Sequence, residues 1–291
     1  MTSPVLRNLL IMISVPISLL AGTDRIADPA TTDMKIERVV HSPRIEELVF
    51  FSEPLGRPMK ATVVLPAKYR DGITDWPVLY LLHGRGRHHR SLVDPDDTRS
   101  SLLEANFFTV LPQGEDGWYL DSPLIAGDRY SAHLTYLVDL VDSLYPVSRD
   151  RRKTGITGWS AGGYGAVRYA EVHPERFGTV ASIIGLLDFP RPETLPEGQN
   201  YTVPRERFGD DPAEWRRLNP IHHTHQLQNT GILIVAADQA FDLTMNVRFA
   251  GKLSELGIDF EWRLLQGEHK FEVVATALPI VLDFMADRFG E

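Results

Sequence analysis

The chain has 291 residues, of which 43% are hydrophobic, so it is long enough to bury the core of one α/β domain. Its formal net charge of -9 argues against a general nucleic-acid binder or a binder of anionic membranes, because both partners need a basic face. Cysteine is absent, which excludes disulfides, thiolate catalysis and cysteine-ligated zinc.

The first residues of the chain have the layout of a secretory signal peptide. Basic Arg7 precedes an apolar run that ends at Ala21 and is short for a transmembrane helix. The sequence predicts a signal peptide over 1–22, a polar linker over 23–35, and a secreted or periplasmic protein with no stable membrane insertion after processing. The expected cleavage site near Ala21 and Gly22 does not match the A-x-A pattern well, so an uncleaved anchor and a merely apolar start are the alternatives.

Residues 36–291 are predicted to form a single domain in which β-like runs alternate with helical segments. Eight β-like runs cover residues 48–52, 60–65, 77–82, 107–111, 153–158, 179–185, 231–237 and 260–265. The first two lie close enough together for a hairpin, whereas helix-length segments, typical of parallel crossovers, separate the later ones. The pattern predicts an α/β fold with a mostly parallel eight-stranded sheet and helices on both faces.

One part of this domain departs from the alternation. Residues 189–229 are rich in proline and charge and show little periodicity. We interpret them as an insertion that covers the sheet edge in the manner of a lid.

A glycine-rich corner surrounds Ser160. Gly158, Ser160 and Gly162 form a G-x-S-x-G motif after a β-like run and before a helical segment, which is the context this motif requires. The glycines let neighbouring backbone approach a strained turn, and the following helix start directs N–H groups toward developing negative charge. The motif predicts a serine nucleophile, and the alternative is an N-cap serine on a glycine-rich helix.

A serine nucleophile needs a base. In the chain order expected for this motif the histidine follows the serine and the acid, and His269 is the downstream histidine that follows a late strand and precedes a helix. It is therefore the predicted base, and a histidine on a surface loop is the alternative reading. The other downstream histidines are His173, His222, His223 and His225.

The oxyanion site is expected after the third β-like run, where the sequence reads LYLLHGRG. Gly84 permits a tight turn, and the predicted donors are the backbone N–H groups of Arg85 and Ala161. His83 is predicted to orient or pack against this loop rather than to carry a proton.

Several motifs in order resemble the esterase D group of α/β-hydrolases, the putative-esterase family. They are SEPLGRPMKATVVLPAKY, WPVLYLLHGRG, FTVLPQGEDGWYLDSP, GITGWSAGGYGAVRYAEVHPERFG and GEHKF. The family contains S-formylglutathione hydrolases, tributyrin and feruloyl esterases, siderophore esterases and mycolyltransferases, and the likeness covers roughly residues 45–285. It implies the α/β-hydrolase fold and the same roles for Ser160, His269, Arg85 and Ala161. It also implies that three residues of its W-Y-x-D stretch support the pocket, namely Trp118, Tyr119 and Asp121.

The acid departs from the family pattern. An aspartate is expected in a stretch like G-x-x-D-F after the seventh strand, and in AADQAF that position falls on Ala240. Asp238 and Asp242 lie two residues to either side. We favour Asp238 because it is nearest the strand end, Asp242 could serve if the loop folds back, and the third possibility is that there is no acid.

These residues predict a serine carboxylic-ester hydrolase that acts on a small-molecule ester and needs no cofactor. An acyltransferase with the same residues is one alternative. A catalytically silent α/β-hydrolase that serves as a binding module is another, and Ala240 is its support. Export would disfavour S-formylglutathione as the substrate, because that thiol pool is cytosolic.

Two further segments have compositions that can form binding sites. The basic stretch RGRHHR, residues 85–90, would favour an anionic ester, although a solvated basic loop is the more common origin of such a run. The stretch HHTH, residues 222–225, is not expected to bind metal, because adjacent loop histidines rarely converge on one ion.

Overall fold

The computed structural model describes the backbone of residues 11–13 and all of residues 36–189 and 203–291. The predicted linker over 23–35 lies outside the described residues. So do the predicted signal peptide, apart from 11–13, and residues 190–202 of the predicted insertion.

The described residues form one sheet flanked by helices. Its strands are β1 (Ile11–Ile13), β2 (Ile36–Ser42), β3 (Ile45–Ser52), β4 (Arg57–Val64), β5 (Val78–Leu82), β6 (Phe108–Pro112), β7 (Thr154–Trp159), β8 (Thr179–Ile183), β9 (Gly231–Ala237) and β10 (Glu261–Leu265). The helices are α1 (Asp96–Glu104), α2 (Tyr130–Leu144), α3 (Ala161–Val172), α4 (Arg205–Phe208), α5 (Pro212–Leu218), α6 (Leu243–Glu255) and α7 (Phe271–Phe289).

The strand order is β1-β2-β3-β4-β6-β5-β7-β8-β9-β10. Strands β1 to β4 pair antiparallel, as do β4 and β6, whereas every pair from β6 to β10 is parallel. The predicted α/β-hydrolase fold is confirmed. The sheet is two strands wider than expected because β1 and β2 extend its antiparallel edge. Strand β2 is half-exposed and carries charged residues, so it lacks the apolar run that marks the other strands.

Apolar side chains cover both faces of the sheet. On one face α2, α3 and α6 pack through residues such as Leu137, Val167 and Phe249. On the other face α1 and α7 pack through residues such as Leu102 and Leu278. Strands β5 to β9 are buried on both sides, which explains their continuous apolar runs and the correct prediction of helices on both faces, whereas β10 at the edge is half-exposed.

The parallel half of the sheet determines where a site can form. Carboxyl ends of parallel strands meet at one edge, so the loops after β5, β7, β9 and β10 emerge close together. Arg85, Ser160, Asp242 and His269 lie on those four loops.

Three buried histidines make the stability of this fold sensitive to acid. Burial lowers the pKa of His83, His89 and His133 to about 4 in each case. The unfolded chain binds protons at these histidines near pH 6.5, whereas the folded chain binds them only near pH 4. The free energy of unfolding is therefore highest above pH 6.5 and decreases as the pH falls from 6.5 to 4. We expect a loss on the order of 1 to 3 kcal/mol per histidine over that interval.

Urea unfolding at pH 7.5, 6, 5 and 4.5 measures this effect. His133→Gln, which cannot take up a proton, should flatten the profile relative to the wild type. An unfolding free energy that stays constant across this range in the wild type would contradict the expectation.

Candidate active site

Ser160 lies on a sharp turn between β7 and α3. Its backbone has φ 55° and ψ -120°, a left-handed conformation that is strained for a residue with a side chain. The Ser160 N–H donates to the carbonyl of Ile183 at 3.1 Å, and the Ser160 carbonyl accepts from the N–H of Tyr164 at 3.0 Å. These two bonds hold the turn in a conformation that an isolated chain would avoid.

The glycines of the motif permit close packing of this turn against the loop after β5. A Cβ on Gly162 would lie 2.2 Å from the carbonyl oxygen of Leu82, and one on Gly158 would lie 2.4 Å from the carbonyl oxygen of Gly162. A Cβ on Gly84 would lie 2.7 Å from the indole nitrogen of Trp159, the residue before Ser160. Only glycine fits these positions, and the result is direct contact between the serine turn and the predicted oxyanion loop.

His269 connects the serine to an acid. Its Nε2 lies 2.8 Å from the Oγ of Ser160, and its Nδ1 lies 2.6 Å from Oδ1 of Asp242. A carboxylate only accepts hydrogen bonds, so Nδ1 of a neutral imidazole carries the proton and Nε2 accepts from the Ser160 hydroxyl. The Asp242 side chain is fully buried and that of His269 is 19% exposed. The arrangement can remove a proton from Ser160 while the imidazole stays fixed.

Among the described residues, Asp242 and not Asp238, the acid favoured from the sequence, bonds His269, so that preference was wrong. Its N–H donates to the carbonyl of Leu265 at 2.9 Å, and its exposed carboxylate accepts from the N–H of Gly267 at 2.9 Å. Asp238 therefore ties the end of β9 to the end of β10.

The chain turns back after Asp238. The N–H of Ala240 donates to the carbonyl of Ala237 and that of Leu243 donates to the carbonyl of Ala240. This brings Asp242, the alternative acid, under the imidazole as the residue that precedes α6. Although Asp242 takes the N-cap position, its side chain does not cap α6, and its two oxygens bond His269 and Asn246 instead.

Two residues that sequence reasoning missed surround the His269–Asp242 pair. The ring of Phe241 lies against the imidazole, with 4.5 Å between ring centroids. The side-chain amide of Asn246 donates to Oδ2 of Asp242 at 2.8 Å. Asn246 is four residues after Asp242, a spacing that places two side chains on one face of a helix and could have marked it.

His83 orders the predicted oxyanion loop. The N–H of Gly114 donates to its Nε2 at 2.8 Å, so the ring proton is on Nδ1 and donates to the carbonyl of Gly84 at 2.8 Å. In a trans peptide the carbonyl and the next N–H point in opposite directions, so the N–H of Arg85 points away from the ring. Burial lowers the pKa of His83 to about 4, which keeps the ring neutral at pH 7.

The two predicted oxyanion donors lie on segments that touch. Ala161 is the first residue of α3, where N–H groups lack a partner within the helix. Within the described parts of the chain, the N–H groups of Arg85 and Ala161 donate no hydrogen bond. The N–H of Gly86 donates to Oδ1 of Asp116 at 3.0 Å, a second fixed point for the oxyanion loop.

The three residues of the W-Y-x-D stretch lie around this site without touching the serine. Tyr119 is buried and its hydroxyl donates to the carbonyl of His83 at 3.1 Å. Trp118 packs against Tyr164, with 5.9 Å between ring centroids. Asp121 accepts from two N–H groups in the first turn of α2 and so caps that helix.

Much of the basic stretch over 85–90 is engaged within the protein. His89 is buried and hydrogen-bonded to Thr62 at 2.9 Å, and Arg90 pairs with Asp94. The guanidinium of Arg87 lies over the ring of Phe271 at 5.1 Å. These contacts leave fewer cationic groups for an anionic ester than the sequence suggested.

The histidines over 222–225 do not converge. The ring of His223 donates to the carbonyl of Arg216 at 3.1 Å, while that of His225 contacts Gln226. Within the described ranges, no three histidine, cysteine or acidic side chains come together to hold a metal ion. No helix in those ranges is both long and apolar enough to cross a lipid bilayer.

A cavity of about 650 Å³ lies beside α5 and α6. Its walls include Phe189, Trp215, Asn219, Arg216, Arg248 and Lys252. Ser160, Asp242 and His269 do not line it, so this cavity is not the space in which Ser160 would meet a substrate.

Comparison with known proteins identifies a family and several relatives that this chain resembles in sequence. The model of the family described as "Putative esterase" matches residues 52–254. The S-formylglutathione hydrolase of Paracoccus denitrificans is 26% identical over 268 residues, which cover 82% of this chain and 91% of that protein.

Two solved structures share the fold. A fluorophosphonate-binding serine hydrolase of Staphylococcus aureus aligns with a TM-score of 0.73 and 19% identity, over 83% of this chain and 97% of that one. An S-formylglutathione hydrolase of Agrobacterium tumefaciens aligns with a TM-score of 0.71 and 22% identity, over 86% of this chain and 98% of that one.

Proposed function

We propose that this chain, which belongs to the Putative esterase family, is a serine carboxylic-ester hydrolase that works through an acyl-enzyme on Ser160. The family assignment confirms the resemblance drawn from the motifs. The observation that carries the mechanism is the continuous hydrogen-bonded series Ser160–His269–Asp242 at the carboxyl ends of parallel strands. Nucleophile, base and orienting acid are each within hydrogen-bond distance of the next.

The first half of the reaction forms the acyl-enzyme. The Oγ of Ser160 attacks the ester carbonyl carbon as its proton passes to Nε2 of His269. The carbonyl oxygen becomes an oxyanion, for which we assign the backbone N–H groups of Arg85 and Ala161 as donors. Collapse of this intermediate breaks the bond to the alcohol oxygen, and the imidazolium returns its proton to the departing alcohol.

The second half releases the acid. Water gives a proton to Nε2 of His269 and attacks the acyl carbon, and the second oxyanion uses the same two N–H groups. Its collapse expels Ser160, which regains its proton from the imidazolium. Through both halves Asp242 holds the tautomer of His269 that directs Nε2 at the serine.

Asp242 also bears on the binding-module alternative. That alternative was based on Ala240, which occupies the position where the family pattern has an aspartate. A buried carboxylate 2.6 Å from Nδ1 of His269 fills the role from two residues further on, so the absence of an acid at Ala240 no longer favours a silent protein.

Hydrolysis of p-nitrophenyl esters from acetate to laurate tests the proposal. We expect turnover of the shorter esters and covalent labelling of Ser160 by a fluorophosphonate probe, located by peptide mass spectrometry. The proposal fails if no ester in the series is turned over and Ser160 stays unlabelled.

Two further experiments test the identity of the substrate and the location of the protein in or outside the cell. S-formylglutathione belongs in the same assay because the name of the Paracoccus denitrificans relative specifies it. Export through residues 1–22 remains part of our proposal, and it favours an oxygen ester over this thioester. Fractionation of cells that express the full chain, followed by N-terminal sequencing, tests export independently of the assay.

A further inference from the structure

Asn246 lies on α6, one turn after Asp242, and is completely buried. Its side-chain amide lies within hydrogen-bond distance of three acceptors. They are Oδ2 of Asp242 at 2.8 Å, the backbone carbonyl of Asp242 at 2.9 Å and the carbonyl of Gly185 at 2.9 Å. The amide therefore ties the carboxylate to the loop that follows β8.

The two oxygens of Asp242 have different partners. Oδ1 faces Nδ1 of His269, and Oδ2 accepts from Asn246. A carboxylate held at one oxygen can still rotate about its Cβ–Cγ bond, and holding the second oxygen fixes its plane. That plane sets the direction of the bond to His269 and hence the direction of Nε2 toward Ser160.

The acceptor oxygen of the same amide has no partner. Oδ1 of Asn246 is buried and makes no hydrogen bond in the described structure. A buried polar atom without a partner destabilises a fold, so an apolar side chain of the same shape would remove one cost at this position. The asparagine is better explained by what its N–H groups do than by a contribution to stability.

We propose that Asn246 is a positioning residue for the reaction: it orients Asp242, and through it the imidazole of His269. This rests on the proposed function, because it assigns a role within the same site. Asp242 precedes a helix instead of ending a strand, so the sheet does not hold its carboxylate directly, and Asn246 supplies the attachment to the end of β8.

The chain contains a matched control. Asn219 is also buried, its amide also donates to an aspartate, Asp188, at 3.1 Å and to a backbone carbonyl, and its Oδ1 also lacks a partner within the described residues. Asp188 pairs with Arg248, and within the described ranges it makes no hydrogen bond or ion pair with His269. Asn219→Leu thus removes the same kinds of bond as Asn246→Leu, but from an aspartate that is not bonded to His269.

The test compares kcat and KM for p-nitrophenyl acetate with the downfield proton resonance of His269 Nδ1 in the resting protein. For Asn246→Leu we expect kcat to fall by roughly 10- to 100-fold, because small errors in alignment cost that much, while KM stays within about twofold. The Nδ1 resonance should move or disappear. Asn219→Leu should leave kcat and the resonance as in the wild type.

Several outcomes would overturn the assignment. A kcat within twofold of the wild type for Asn246→Leu does so, as does a loss of kcat with the resonance unchanged. Equal losses in both variants would show a general effect of burying leucine. Urea unfolding of each variant separates loss of fold from loss of rate, and Asn246→Ala provides a smaller replacement if leucine does not fit.

The same experiment separates failure of this inference from failure of the proposed function. If the wild type hydrolyses no ester, the proposed function fails. The Nδ1 resonance of the resting protein still reports whether Asn246 fixes Asp242 against His269.

Discussion

Ser160→Ala should reduce kcat for p-nitrophenyl acetate by about 10⁶-fold, to the rate that binding and oxyanion contacts alone provide. The hydroxyl removed is the one that lies 2.8 Å from Nε2 of His269, and without it no acyl-enzyme can form. The expected loss is in kcat, because Ser160 forms the covalent bond, whereas KM should change little. Stopped assays at high enzyme concentration measure the residual rate.

The control for Ser160→Ala is a measurement of stability, because the substitution lies in a strained turn. Alanine at position 160 keeps a Cβ in the same left-handed conformation, so backbone strain does not change. Urea unfolding should therefore match the wild type closely. Residual activity within tenfold of the wild type would mean that another nucleophile carries the reaction.

Asp242→Asn should produce the second largest effect, a fall in kcat on the order of 10⁴-fold. The amide can direct an N–H at His269, which would place the ring proton on Nε2 and leave Ser160 facing a donor instead of an acceptor. The shape of the side chain is unchanged, so the loss would report the tautomer of the imidazole and not the packing around it.

Asp238→Asn is the paired control. Its carboxylate accepts from the N–H of Gly267, an interaction that an asparagine oxygen can also make. We expect kcat within about threefold of the wild type for this variant, because Asp238 is exposed and the one bond of its carboxylate is conserved by asparagine. A larger loss from Asp238→Asn than from Asp242→Asn would contradict the assignment of the acid.

The hydrophobic pattern of the sequence was sufficient to predict most of the strands of the domain. The apolar runs that became β5 to β9 were recognisable because strands buried on both faces need continuous apolar sequence. The contact between Ser160 and His269 was also predictable, since each residue follows a strand of the same parallel set. Here spacing along the chain translates directly into position at the sheet edge.

The acid could not be placed in the same way. The choice between Asp238 and Asp242 depends on a turn of a few residues, in which the N–H of Ala240 bonds back to Ala237. Proximity to the strand end favoured Asp238, but the continued pairing of β9 and β10 directs its carboxylate to Gly267. Asn246 escaped prediction because its role depends on which aspartate reaches His269.

Asp242 immediately precedes α6, so the acid of the proposed reaction is attached to a helix and not to the end of a strand. An acid at a strand end would be held by the hydrogen bonds of the sheet, whereas the position of Asp242 depends on how α6 packs and on the bonds of Asn246. Arg248 and Lys252, on the same helix, line the cavity beside α5. A shift of that helix against the sheet would therefore act on the Asp242 carboxylate, and the bond from Asn246 to Gly185 would oppose it.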